Sequence, residues 1–469
     1  MRVLLVIPPT GRYIRSDRCQ APVDTRVAEP ARAPMDLAYM ASILEEMHAA
    51  CMIKDYPMEY KTWDVLTTDL QNFSPDMLVI STTTPTIEND LLACDLAKKI
   101  KPGIKTVAKG AHFLVYDKEI LSRFKNLDVI IRGEPEFIVR ELASGKDYSQ
   151  ILGITFRDNA EITRNSDAPF IENLDSLPFP ARHLLDNRLY LTPDTQEPIA
   201  FVTTSRGCPG KCIFCAAGLV SGSKLRMRSV ASVISEIEEC VAKYYIKNFF
   251  FSADTFTWQK NWVLDFCNEI LSRGIKIRWG ANSRVDTLNE EMALWMKKAG
   301  CYVIGFGAES ASQHILDKIK KDITPAQIEN AVAICKKHDI ESYLHFIIGF
   351  PWETRETVNE TIKFIKKTHA SFIEVNIAYP LPGTEFFTIA KSNFLFDENA
   401  LFGHNHSLPL VKSFSLSTGE LAYLRKKILL LFYLRIDHIA YGISKMRSPK
   451  IALNYFKYFI RLICNLLKK

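Results

Sequence analysis

Short apolar runs alternating with helical stretches recur along most of this chain, and few architectures accept that pattern. The runs "RVLLVI" (2–7), "DMLVIST" (76–82), "KTVAKGAH" (105–112) and "LDVIIRGEPE" (127–136) each hold a continuous apolar core. A strand apolar on both faces belongs in a parallel sheet covered by helices. The intervening stretches are helical, as in "APMDLAYMASILEEM", where Leu37, Met40, Ala41, Leu44 and Met47 share one face. Residues 1–150 therefore read as a doubly wound, flavodoxin-like (Rossmann-type) α/β domain. Such sheets bind ligands beyond the carboxyl ends of their strands. Those ends carry Pro8-Pro9-Thr10, Ser81-Thr82-Thr83-Thr84, Gly110-Ala111-His112 and Gly133-Glu134. Small residues and hydroxyls suit a large ligand lying close to backbone; they also suit turns that merely close strands.

Residues 151–198 are rich in Asp, Asn and Pro around "LDSLPFPARHLL" and read as an extended connector, stiffened by Pro178 and Pro180. Alternation resumes at Ile199 with "IAFVTTS", "NFFFSAD", "KIRWGANS", "YVIGFGAES", "SYLHFIIGFP" and "IEVNIAYPLP". Six strand–helix units predict a partial (β/α)6 TIM-type barrel over 199–395, with 396–469 as a C-terminal helical region. In a barrel, chemistry sits at the carboxyl rim. Here that rim holds Cys208, Asp254, Arg284, Glu309 and Gly349. At 469 residues the chain is too long for one ordinary core, and a composition 47% hydrophobic and 24% charged excludes a disordered one.

The stretch "TSRGCPGKCIFCAAG" places Cys208, Cys212 and Cys215 in one loop. Most of the other cysteines sit singly in apolar stretches (Cys94, Cys240, Cys267, Cys335), and the total of eleven is odd, so no disulfide framework is expected. Three thiolates can hold three irons of a 4Fe–4S cluster and leave the fourth iron open. Gly207, Pro209 and Gly210 permit the tight backbone such a loop requires. Zinc needs a fourth ligand; His183 is the nearest upstream histidine, and only one Cys-x2-Cys pair is present. Zinc and plain buried thiols are the alternatives.

This cysteine loop, at the end of a first barrel strand, resembles that of the radical SAM superfamily. The resemblance implies a 4Fe–4S cluster held by Cys208, Cys212 and Cys215, with S-adenosylmethionine on the open iron cleaved to a 5′-deoxyadenosyl radical. It implies cofactor contacts from Phe214, Asp254, Arg284, Glu309 and Gly349. "SADTF" departs from the family's Gly-Gly-Glu pattern, and Arg284 and Glu309 also fit a structural ion pair. An α/β domain, then "LDSLPFPAR", then this loop is similar to the cobalamin-binding subfamily. That implies cobalamin near Thr10, Ser81, Thr82, Thr83, Gly110, Ala111, His112, Gly133 and Glu134, with Lys109 where glycine is commoner. The Asp-x-His-x-x-Gly motif is absent, so cobalamin without histidine on cobalt is expected. The implied reaction is methylation of an unactivated carbon. The alternatives are cyclisation or ring rearrangement without methyl transfer, and, in another class, a non-catalytic cobalamin or Fe–S sensor. Cys19, in a polar loop with Arg12, Arg15 and Arg18, reads either as a thiol near cobalamin or as a surface cysteine.

Of the net charge of +6, the stretch from Lys412 to Lys469 holds twelve basic and two acidic residues, so +10 belongs to the tail. Residues 418–467 read as helices. In the last of them Lys450, Asn454, Lys457, Arg461 and Asn465 form a narrow polar stripe, and the remainder is apolar. So wide an apolar face packs on the barrel or lies on a membrane surface. No nucleic-acid motif accompanies the charge. The expected partners are a small-molecule substrate, tilted by the tail toward a hydrophobic one, and a reductant such as flavodoxin or ferredoxin. The N-terminal apolar run is too short for a signal peptide, and no apolar stretch reaches membrane-spanning length, so a cytoplasmic protein is expected, with peripheral membrane contact as the alternative to a tail packed on the barrel.

Overall fold

The structure is a computed structural model that describes residues 1–15, 20–23, 31–159, 161–401, 408–446 and 448–467. The two readings of Cys19 fall outside the described residues. Strands β1 (Arg2–Ile7), β2 (Ala50–Asp55), β3 (Met77–Ser81), β4 (Lys105–Lys109), β5 (Val129–Ile131), β6 (Ile154–Asp158) and β7 (Glu161–Arg164) form one sheet, ordered β2-β1-β3-β4-β5-β6-β7. β1 to β5 are parallel, and their order is that of the flavodoxin winding, with its switch point between β1 and β3. Strand alternation explains the apolar runs. Val3 and Leu5 pack with Leu37, Met40 and Leu44 on one face, whereas Leu4 and Val6 pack with Leu66, Leu70 and Cys94 on the other. β6 and β7 are an antiparallel hairpin added at the edge, inside the span read as an extended connector. Ile154 and Phe156 point into the same core, a period-2 pattern hidden by the polar turn between the strands.

The second sheet joins β8 (Ile199–Thr203), β11 (Asn248–Ser252), β12 (Arg278–Ser283), β13 (Cys301–Glu309), β14 (Glu341–Ile348) and β15 (Phe372–Ile377) in consecutive parallel order, each flanked by helices. Between β8 and β11 a small antiparallel ribbon forms from β9 (Ser205–Arg206) and β10 (Arg226–Met227). Phe249 and Phe251 point outward into an aromatic core with Phe256, Phe266 and Trp279, while Phe250 points inward. Phe201 of β8 and Phe372 of β15, from opposite edges of the sheet, line one cavity, so the sheet curls into an open barrel.

An unpaired strand edge exposes backbone groups. Helix Thr418–Tyr433 covers the edge of β15: the Tyr433 hydroxyl donates to the Ile373 carbonyl at 2.7 Å and accepts its N–H at 3.2 Å. Arg425 Nε donates to the Val375 carbonyl at 2.7 Å. This first tail helix therefore packs on the barrel. The last one, Pro449–Leu467, departs from the expected orientation. Asn454, read as part of a solvated stripe, is buried and donates to the Asp194 carbonyl at 2.8 Å, whereas Leu453 and Phe456 are 53% and 58% exposed. A buried carbonyl needs a donor, and the Asn454 amide supplies it.

Candidate active site

The β9–β10 ribbon brackets the cysteine loop. Cys208 N–H donates to the Gly222 carbonyl at 3.1 Å, fixing the loop's entry. Gly207 has φ +87°, and a Cβ there would lie 2.1 Å from the Lys224 carbonyl oxygen, so only glycine fits. At Gly210 a Cβ would lie 3.3 Å from Cys208 Sγ, 4.0 Å from Cys212 Sγ and 3.7 Å from an Arg284 guanidinium nitrogen. Bare backbone therefore runs between two sulfurs and a cation. Ala217 N–H lies 3.5 Å from Cys215 Sγ. All three cysteines are half-buried and free of disulfides. Among the described residues no three Cys, His, Asp or Glu side chains converge on a single-ion site. A cuboidal cluster places each thiolate on a different iron, so thiols spaced around one loop fit it.

Two buried cations flank the loop. Arg284, after β12, makes a bidentate pair with Asp286 (2.9 Å for each contact) and donates to the Lys321 carbonyl at 2.8 Å. Glu309, ending β13 at φ +58°, is paired with Lys321 at 2.6 Å. Arg284 and Glu309 are thus each ion-paired, but with other residues. Lys321 was not singled out by the sequence reading; it sits in "IKKD", where nothing marks one lysine as buried. Burial pushes the Cys212 thiol up, and the Lys321 charge opposes this.

Phe214 packs against Phe350, with ring centroids 5.4 Å apart, beside Gly349. Gly349 has φ +98°, and its N–H donates to the carboxylate of Glu353, another residue the sequence reading passed over. Burial raises the Glu353 carboxyl to about 8, against the opposing pull of the Gly349 and Phe350 N–H groups.

A cavity of about 240 Å³ lies between the two sheets, lined on the barrel side by Ser205, Arg206, Val220 and Ser221, which flank the cysteine loop. It brings together Gly110, Ala111, Gly133, Glu134 and Asp254, together with Lys109 and Arg206. Gly133 has φ +88°, and a Cβ there would meet nothing within 4 Å, so the missing side chain opens room for a ligand. Gly110 sits against Thr82, whose Oγ1 a Cβ would approach to 2.5 Å. The cradle fits a large, flat group lying on backbone.

Thr10, Ser81, Thr82, Thr83 and His112 do not line this cavity. Thr10 Oγ1 donates to Asp90 at 2.5 Å, and Arg15 pairs with Asp90 at 3.0 Å. Ser81 Oγ donates to Asp36 at 3.0 Å, Thr82 Oγ1 to the Lys109 carbonyl at 3.1 Å, and Thr83 Oγ1 shares a 2.6 Å bond with Thr86. His112 is buried and stacks on Tyr116 at 5.0 Å; burial lowers its pKa to about 4.

The two domains meet through ions at the cavity's edge. Arg226 of β10 grips Glu134 at 2.8 and 2.9 Å, and Arg206 of β9 donates to Glu136 at 2.5 Å. Arg226 and Glu134 are both buried.

Comparison with known proteins agrees with this geometry. The family model described as "Radical SAM superfamily" matches residues 202–365, which span the cysteine loop and most of the barrel. "Uncharacterized methyltransferase PH0819" of Pyrococcus horikoshii is 35% identical over 439 residues, 93% of each chain. The anaerobic magnesium-protoporphyrin IX monomethyl ester cyclase of Cereibacter sphaeroides is 27% identical over 83% of this chain and 65% of its own. Among solved structures, the radical S-adenosylmethionine methyltransferase TsrM of Kitasatospora setae, with cobalamin and a 4Fe–4S cluster bound, aligns over 99% of both chains at a TM-score of 0.71 and 15% identity. With this fold, this loop and a relative matched along nearly its whole length, the chain belongs to the radical SAM superfamily.

Proposed function

We propose that the chain is a cobalamin-binding radical SAM enzyme that methylates an unactivated carbon of an apolar small molecule. One observation carries the reading: Ser205, Arg206, Val220 and Ser221, on either side of the cysteine loop, share one cavity with the backbone cradle at Gly110 and Gly133. Bound there, the cluster with S-adenosylmethionine supplies hydrogen abstraction, and cobalamin supplies the methyl group. Cys208, Cys212 and Cys215 would hold three irons. Phe214, Asp254, Arg284, Glu309 and Gly349 would surround S-adenosylmethionine, with Lys321 and Asp286 fixing the two charged side chains. Gly110, Ala111, Gly133 and Glu134 would border the corrin. Thr10, Ser81, Thr82, Thr83 and His112 would support that wall from behind.

The reductant would be a small electron carrier such as flavodoxin or ferredoxin. No helix among the described residues is long and apolar enough to cross a membrane. The reading keeps a cytoplasmic protein that touches a membrane through its tail.

Cys212→Ala is expected to lose bound iron and to abolish 5′-deoxyadenosine formation from S-adenosylmethionine under anaerobic reduction. Undiminished cleavage by that variant would place the site elsewhere. The likeness to the cyclase keeps a second reading, ring closure without methyl transfer. Deuterated methyl-S-adenosylmethionine separates the two, because only methylation carries label into product.

A further inference from the structure

We propose that the barrel holds a hydrocarbon chamber open at its lower end, and that the substrate's apolar part enters it from an anionic bilayer on which the last two helices rest. This rests on the proposed enzyme reading and adds the substrate's class and route. The chamber, about 380 Å³, is walled by Ile199, Phe201, Phe250, Val303, Tyr343 and Phe372 from the barrel strands. Ile199 and Phe372 begin their strands, so this is the end opposite the cysteine loop. Arg32, Phe250 and Asn282 border both this chamber and the cavity between the two sheets. The two spaces therefore adjoin there, and the proposed route crosses between them at this throat, where the Arg32 guanidinium stands 5.6 Å over the Phe250 ring.

The chamber's outer wall belongs to helices Ile436–Lys445 and Pro449–Leu467. Its polar groups are satisfied locally: Glu341 pairs with Lys445 at 2.9 Å and accepts from the Tyr441 hydroxyl at 3.1 Å. Asp194 pairs with Arg278, and Arg32, Asn282, His345 and His438 also reach the lining, but most of its surface is apolar. The mouth residues Ile439, Ile443 and Phe456 line the chamber and yet are 44%, 62% and 58% exposed. Around them Ile436, Leu453 and Ile460 are 87%, 53% and 45% exposed. A contiguous exposed apolar face marks an interaction surface. Lys450 and Lys457 are exposed along the same helix, in a tail of charge +10. An apolar face edged by cations suits anionic lipid, and an apolar mouth within that face suits a substrate that dissolves in the bilayer.

The test uses the full chain, reconstituted with its cluster. Dansylaminoundecanoic acid probes the chamber by its emission, and flotation with vesicles of phosphatidylcholine, with or without phosphatidylglycerol, probes the face. The wild type is expected to bind the probe saturably and to float only with the anionic vesicles. At Gly442 an added Cβ meets nothing within 4 Å and the residue lines the chamber, so Gly442→Phe is chosen to fill the mouth from an open position. It should weaken the probe at least tenfold and keep flotation. Ile436→Asp, outside the chamber lining, should lose flotation and keep the probe. Iron content and the thermal midpoint confirm that both variants fold. Equal probe binding by wild type and Gly442→Phe, or flotation indifferent to lipid charge or to Ile436→Asp, overturns the proposal. If the wild type cleaves S-adenosylmethionine but takes up no probe, the chamber falls alone. If it binds the probe and cleaves nothing, the chamber stands and the enzyme reading falls.

Discussion

Glu353 is the residue whose environment most opposes its usual charge. Its carboxyl is fully buried, with one oxygen on the Gly349 N–H and the other without a partner among the described residues. Burial moves it from 4.5 to about 8, so in the folded chain it stays protonated where the unfolded chain would ionise it. The native state then binds the extra proton, and stability falls as pH rises through that window. The contribution is complete below pH 4.5 and is lost by about pH 8, at up to roughly 1.4 kcal/mol per pH unit. Glu353→Gln, which keeps an acceptor for Gly349, is expected to flatten this dependence. Urea midpoints of both proteins at several pH values check it, and parallel curves would refute it. At this scale the cysteine loop was legible as a motif because its three thiols lie within eight residues. The hydroxyls of Thr82 and Thr83 were not, since sequence gives a hydroxyl but not its direction. Local bonds to the Lys109 carbonyl and to Thr86 engage both hydroxyls, and neither residue lines the cavity between the sheets.

Among elements, the edge of β15 is guarded by one phenol. Tyr433→Phe keeps the ring's packing but leaves the Ile373 N–H and carbonyl without this partner. Stranding buried polar groups costs about 1–3 kcal/mol. A denaturant titration should show a loss in that range with no change in slope. The parallel strands themselves were readable as apolar runs, because a strand buried on both faces shows it in composition alone. The β6–β7 hairpin was not, because each strand is short and the turn residues between them dominate the local chemistry. The last helix was readable as a helix but not in its rotation, which a single contact from Asn454 to the distant Asp194 carbonyl helps to set.

For the molecule as a whole, the pairing of Glu134 with Arg226 ties the α/β domain to the barrel across 92 residues of sequence. Separation of that length conceals the partner: Glu134 was expected beside cobalamin, and the arginine that holds it could not be named. Arg226→Met takes the bidentate partner from a buried carboxylate and leaves it Arg206 at 3.3 Å and the Ile171 N–H, so about 1–3 kcal/mol of stability should go with it. Adding Glu134→Gln should restore much of the loss, and limited proteolysis between the domains should follow the same order. The throat at Arg32, Phe250 and Asn282 carries a different consequence. On the proposed route, a reactive carbon radical generated above it would be quenched by small molecules leaking upward, so cargo itself would serve as the stopper of an airlock while chemistry runs, and turnover would begin and end with that stopper changing hands.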